Sequence, residues 1–133
     1  MPFIDVLVAQ PAGSLPVSTA EIARVLTDLT TELLAKKREL TAVMVREMAS
    51  ADWFVGGRSL DELATASHRV TVHVTAGTNT DAEKAAWIAA VAAAMKRLTG
   101  RSRPESYVVV AEVAAQAWGW DGLTQAARRT STV

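Results

Sequence analysis

The chain has 133 residues, half of them hydrophobic, and its 14 basic and 14 acidic side chains give a formal net charge of zero. Without a basic surplus, neither nucleic acid nor an anionic membrane surface is the expected partner. There is no cysteine, and His68 and His73 are the only histidines, so neither a disulfide framework nor a ready metal site is expected, and no cofactor is implied. The length suits one domain, residues 1–133, able to bury a sizeable core. No basic segment followed by an apolar run opens the chain, and the alanine-rich stretch from Ala85 to Met95 is too short to span a bilayer, which together predict a cytoplasmic protein.

In chain order, Pro2 to Ala9 reads as a first strand, and the prolines and glycine of Gln10 to Pro16 punctuate a loop. Ser18 and Glu21 have capping-box spacing, and Ile22, Val25, Leu26, Leu29, Leu33 and Leu34 follow at helical period. This helix is expected to end near Lys36-Lys37-Arg38, where cations suit the C-terminal dipole. Leu40 to Met48 is rich in β-formers and reads as a second strand, closed by a turn at Trp53-Phe54-Val55-Gly56-Gly57. Asp61 to Ser67 is a linker with room for a short helical turn.

The order then repeats. Arg69 to Thr75 alternates as a third strand, and Thr80 with Glu83 is a second capping box. A helix carrying Ile88, Val91, Met95 and Leu98 stops at Gly100, and Tyr107 to Val113 is a fourth strand before Trp118-Gly119-Trp120-Asp121-Gly122. Glu47 matches Glu112 and Trp53 matches Trp118, both at an offset of 65 residues. Such self-similarity predicts a duplicated β-α-β unit, residues 1–60 and 66–125, with approximate twofold symmetry. The expected fold is α/β (α+β), a four-stranded sheet with two helices on one face. The other face, carrying Met44, Val109 and Ala111, is apolar as well, so a closed assembly of copies is expected to cover it.

Pro2 is the residue to which chemistry is assigned. Once Met1 is removed it presents a secondary amine at the head of a strand. An α-amino group titrates at roughly 7.7 to 8.0, and burial lowers that value, making a general base usable near neutrality.

Met-Pro at the start of a strand, Leu40-Thr41 through Glu47-Met48-Ala49, Trp53 and Gly56-Gly57 resemble the tautomerase superfamily, whose namesake is 4-oxalocrotonate tautomerase. Two such units in one chain resemble its fused members, among them malonate semialdehyde decarboxylase and cis-3-chloroacrylic acid dehalogenase. The resemblance implies a tautomerase/MIF-like fold and a homotrimer. It also implies an isomerase whose Pro2 amine shuttles a proton between carbon atoms of a small enol or 2-oxo acid. The arginines with which the namesake enzymes grip carboxylates have no counterpart: Pro11 or Ala12 and Ala42 stand in the first half, Thr78 and Tyr107 in the second.

Tyr107 is therefore a candidate hydrogen-bond donor to an enolate oxygen, Arg46 a candidate replacement cation, and Trp53 and Trp118 candidate pocket walls. Arg58 and Arg69 are further cations. His68 falls where the second unit would have its own proline and is expected to be an exposed strand-start residue, while His73 is expected to pack. Two alternatives stand beside the isomerase. One is an inactive binding protein of the same fold, and the other is a hydratase using protonated Pro2 as acid, for which Asp5, Glu47 and Asp121 are the carboxylates in question.

Overall fold

The computed structural model describes residues 1–131. Strand β1 (Phe3–Ala9) leads to helix α1 (Thr19–Leu34) and strand β2 (Ala42–Glu47). A two-residue hairpin, β3 (Phe54–Val55) and β4 (Arg58–Ser59), runs into the single turn α2 (Leu60–Leu63). The second half follows the same order: β5 (Ser67–Thr75), α3 (Asp81–Thr99), β6 (Tyr107–Val113), the hairpin β7 (Gly119–Trp120) and β8 (Leu123–Thr124), and α4 (Gln125–Ser131). The main sheet has the order β2-β1-β5-β6. Its outer pairs are parallel, and its central pair, β1 with β5, is antiparallel.

Alternation decides which face is covered. Ile4, Val6 and Val8 of β1 and Val70, Val72 and Val74 of β5 point to one side, where they pack with Ile22, Leu26 and Leu34 of α1 and Trp87, Val91 and Met95 of α3. Ser18 Oγ accepts from Glu21 N at 3.1 Å to start α1, and Thr80 with Glu83 forms a reciprocal capping box at the start of α3. Gly100 ends α3 in the left-handed region, at φ 77°. Ala35 ends α1 in the same conformation at φ 54°, so that helix stops just before Lys36-Lys37-Arg38.

Three expectations change in detail. Strand β2 begins at Ala42, because Arg38–Leu40 forms a 3-10 turn. Strand β5 begins two residues earlier than expected, at Ser67. In α3 the core position belongs to Trp87, fully buried, and Ile88 is 37% exposed. Trp87, Val91 and Met95 form a ridge at intervals of four, and Ile88 lies about 100° round the helix from Trp87, at the rim of that face. The indole Nε1 of Trp87 donates to Thr30 Oγ1 at 3.1 Å, and Thr30 donates to the Leu26 carbonyl at 2.7 Å, so the two helices share a satisfied polar contact inside the core.

The opposite face of the sheet carries no helix. Phe3, Met44, Val109 and Tyr107 are exposed there, and Asp5 lies 3.7 Å from Arg46 in the same layer, so the face is mixed rather than uniformly apolar. Among the described residues no helix is long and apolar enough to cross a membrane.

Trp87→Ala should destabilise the fold by about 3–5 kcal/mol. Trp87→Phe, which leaves Thr30 without its donor, should cost about 1–2 kcal/mol. Urea unfolding followed by circular dichroism measures both.

Candidate active site

Because β1 and β5 run antiparallel with Phe3 opposite His73, the head of β1 lies at the tail of β5. That register sets Pro2 abreast of Val74 and Met1 abreast of Thr75. Pro2 is buried, and its carbonyl accepts from Ala42 N at 3.2 Å, which anchors it to β2. The site is thus made of first-half residues on one side and second-half residues on the other.

The second half supplies the loop after β5 and the segment after β6. Thr78 Oγ1 donates to the Thr75 carbonyl at 2.7 Å and accepts from Lys36 Nζ at 3.0 Å. Asn79 Nδ2 donates to the Leu34 carbonyl at 3.0 Å, capping the end of α1. Trp118 Nε1 donates to Thr75 Oγ1 at 3.1 Å, fixing the indole at the same end of the sheet. A cavity of about 340 Å³ opens between Trp118, Ala117, Gly119 and Leu123; Pro2 lies outside its lining. Arg128 stacks 3.6 Å above the Trp120 ring and donates to the Trp120 carbonyl at 2.6 Å, which ties α4 to the hairpin.

Electrostatics at this end lower the pKa of both amines. Burial, and then the charge of Lys36, hold the Met1 amine below the ordinary N-terminal value. Lys36 itself is pushed down, by burial first; Glu83 opposes that shift and Arg129 adds to it. Lys36 is the cation that sequence reasoning missed. In the sequence the run Lys36-Lys37-Arg38 reads as cations for the helix dipole, and only the left-handed turn at Ala35 turns the first of the three toward Thr78.

Of the substrate-binding candidates Tyr107, Arg46, Trp53 and Trp118, Trp118 alone comes to this end within one chain. Tyr107 pairs with Arg69 at the head of β5, the far end of the sheet, and is 65% exposed on the open face. Arg46 pairs with Leu7, toward the far end of β1, and its nearest partner is Asp5 at 3.7 Å. Trp53 belongs to the first hairpin, where its carbonyl accepts from Leu60 N at 3.0 Å. Arg58 is paired with Glu62 at 3.4 Å, and Arg69 is exposed. Asp5 lies on the open face, Glu47 is exposed at the far end of β2, and Asp121 sits in the second hairpin's turn at φ 50°, so no carboxylate named from sequence is placed against Pro2 by its own strand. No group of three metal-ligating His, Cys, Asp or Glu side chains forms among the described residues.

His68 overturns its expectation. It is 2% exposed rather than solvent-facing, because its position has the parity of Val70 and Val72 and so points under α3. Ser102 Oγ lies 3.0 Å from Nδ1, Nε2 is buried without a hydrogen-bond partner, and burial pushes the imidazole pKa down to about 4. His73 Nδ1 lies 3.3 Å from the Phe3 carbonyl, and its ring is tilted against Phe3.

A proline at the head of a strand, joined to a duplicated β-α-β sheet, defines a class of protein, and comparison with known proteins gives it a name. The family model described as tautomerase enzyme matches residues 2–62 and again 69–128, so the chain belongs to the tautomerase family. Matched twice in one chain, it is a fused member of that superfamily. The structure of a native fused 4-OT is 26% identical, with a TM-score of 0.77 over 92% of this chain and 97% of that one. A fused 4-OT solved as a symmetric trimer is 24% identical, with a TM-score of 0.78 over 95% of this chain and 98% of that one. Macrophage migration inhibitory factor from Oncomelania hupensis is 22% identical, with a TM-score of 0.71 over 93% of this chain and 82% of that one. No curated protein sequence matches the chain.

The neutral His68 makes stability depend on pH. An unfolded histidine titrates near 6.5 and the folded one near 4, so between those values the unfolded state binds more protons and stability falls as pH falls. The loss should total about 3 kcal/mol at most. Urea unfolding at pH 7 and pH 4.5 should show most of it in the native chain and little of it in His68→Gln.

Proposed function

We propose that the chain, once Met1 is removed, is a tautomerase that moves a proton between carbon atoms of a small enol or 2-oxo acid, with the Pro2 amine as general base. The observation that carries this reading is the burial of Pro2 at the junction of the two repeats, at an end of the sheet where Lys36 acts on the N-terminal amine. With Met1 present, the Pro2 nitrogen is an amide and has no basic lone pair. Once freed, that nitrogen would lie at the same end of the sheet, where burial and then the charge of Lys36 lower the Met1 amine, and the same two effects would favour its basic, neutral form.

Lys36 takes the part assigned elsewhere in the family to arginine. Its ammonium binds the substrate carboxylate or the developing enolate oxygen as a point charge, with Thr78 holding it in place. Trp118 shields that end of the sheet from water. Tyr107 and Arg46 join the site only from neighbouring subunits, which fits association of the open faces as a homotrimer. Fused 4-OT relatives were solved as trimers. Cytoplasmic residence completes the reading.

The test begins with intact mass, which should be lower by one methionine. Tautomerisation of phenylenolpyruvate should then fall by roughly 10²–10⁴-fold in Pro2→Ala, and equal rates would remove Pro2 from the mechanism. Lys36→Ala should lower kcat/KM by about 10- to 100-fold, the worth of a hydrogen bond to a charged group. A chain that retains Met1 and has no activity would leave a binding protein of the same fold.

A further inference from the structure

The twofold relation between the halves creates a second position equivalent to the Pro2 site. With the axis through the pair Asp5 and Thr71, Ile4, Val6 and Val8 correspond to Val70, Val72 and Val74. This mapping puts His68 where Pro2 stands. It also puts Arg101 where Lys36 stands, since each is the first residue after a left-handed helix cap, Gly100 and Ala35 respectively.

The two ends differ in how much room they leave. Five residues, 76–80, join β5 to α3, and there Lys36 closes onto Thr78. Nine residues, 10–18, join β1 to α1, and at that end a cavity of about 940 Å³ opens between this loop and the end of α3. Arg97 and Arg101 line it, as do Leu15, Leu98 and Gly13. Neither arginine forms an ion pair among the described residues, although Arg97 lies in the field of Glu21, a carboxylate already bonded to Arg24. The one carboxylate in the lining, Asp61, accepts from Ser50 Oγ and from Ala12 N through the same oxygen. Leu15 is 88% exposed, more than any other large hydrophobic side chain in the described fold.

Arg101 is held by its backbone. Its carbonyl accepts from Ala66 N at 2.8 Å, and Arg103 N donates back to the Ala66 carbonyl at 2.9 Å. His68 does not reach this cavity. It lines a separate one of about 270 Å³, bounded by Ser102, Arg103 and Ser106.

We propose that the larger cavity is a second, non-catalytic binding site for a small carboxylate with an apolar body, its charge held by Arg97 and Arg101 and its body by Leu15 and Leu98. No amine stands in it, so it binds without moving a proton. Two cations against one occupied carboxylate select an anion, and the exposed leucine selects against a fully hydrated one such as phosphate.

Phenylacetate, which has no enolisable ketone, is the probe. In the whole chain its titration followed by ¹⁵N NMR should shift the Gly13 and Gly100 amides saturably, and inorganic phosphate should shift them at least tenfold more weakly. Arg97→Ala/Arg101→Ala should weaken the phenylacetate response at least tenfold while phenylenolpyruvate turnover stays within twofold of native. Arg101→Gln alone serves if the double variant unfolds. An unsaturable response, an equal response in the variant, or an equal preference for phosphate overturns the proposal. So does a parallel loss of turnover, since it would mean one shared site. Failure of Pro2→Ala to lose activity would leave this proposal standing, because the two readouts are separate.

Discussion

The antiparallel seam between β1 and β5 is the constraint on which everything else rests. Seven residue pairs cross it, from Phe3 opposite His73 to Ala9 opposite Ser67, and both strands bury their even positions under the helices. Had the two units met in parallel, both strand heads would lie at one end, each surrounded by its own half. Meeting antiparallel, each head is delivered to the tail of the other half. Pro2 is therefore brought to the end of the sheet that carries Thr75, Thr78 and Trp118, residues more than seventy positions away, and neither repeat alone contains the candidate site.

At that end, burial and charge push the same way on the terminal amine, while on Lys36 neighbouring charges act in both directions. A buried amine loses protonation because water no longer solvates its charge, and a neighbouring ammonium adds to the loss. Lys36 suffers the same desolvation, which Glu83 opposes and Arg129 reinforces. A lysine suits such a place better than it would suit a bidentate clamp. Its point charge can neutralise one oxygen without the planar fork that an arginine must satisfy in full.

Much of the fold was legible in the sequence because its signals are local. Ser18 with Glu21, Thr80 with Glu83, and Gly100 mark helix ends by chemistry that acts within one turn, and the alternation of Arg69 to Thr75 is a property of one strand. The misreadings are those that needed a third dimension. Ile88 and Trp87 both fit a helical period, and only the position of α1, with Thr30 waiting for an indole N–H, selects Trp87. His68 looked like a strand-start residue open to solvent; the strand in fact starts one residue earlier, and parity turns the ring inward. The offset of 65 residues identified Tyr107 as the mate of Ala42 and Trp53 as the mate of Trp118. An offset says which residues are equivalent, but not which end of the sheet each occupies. The antiparallel seam sends Tyr107 and Trp53 to the end away from Pro2.

Fusion also explains why the halves diverged as they did. Only one strand head in a continuous chain can ever carry a free amine, because the other is preceded by a peptide bond. At position 68 a proline would offer no base, so nothing in the chemistry retains it, and packing decides instead. The imidazole now fills space beneath α3 and leans on Ser102. The cation after each helix cap faces no such covalent bar, and both halves keep one, Lys36 and Arg101. On the proposed mechanism, what the peptide bond removes from the second end is proton transfer alone. The cap, the following cation and the loop opposite are all still in place.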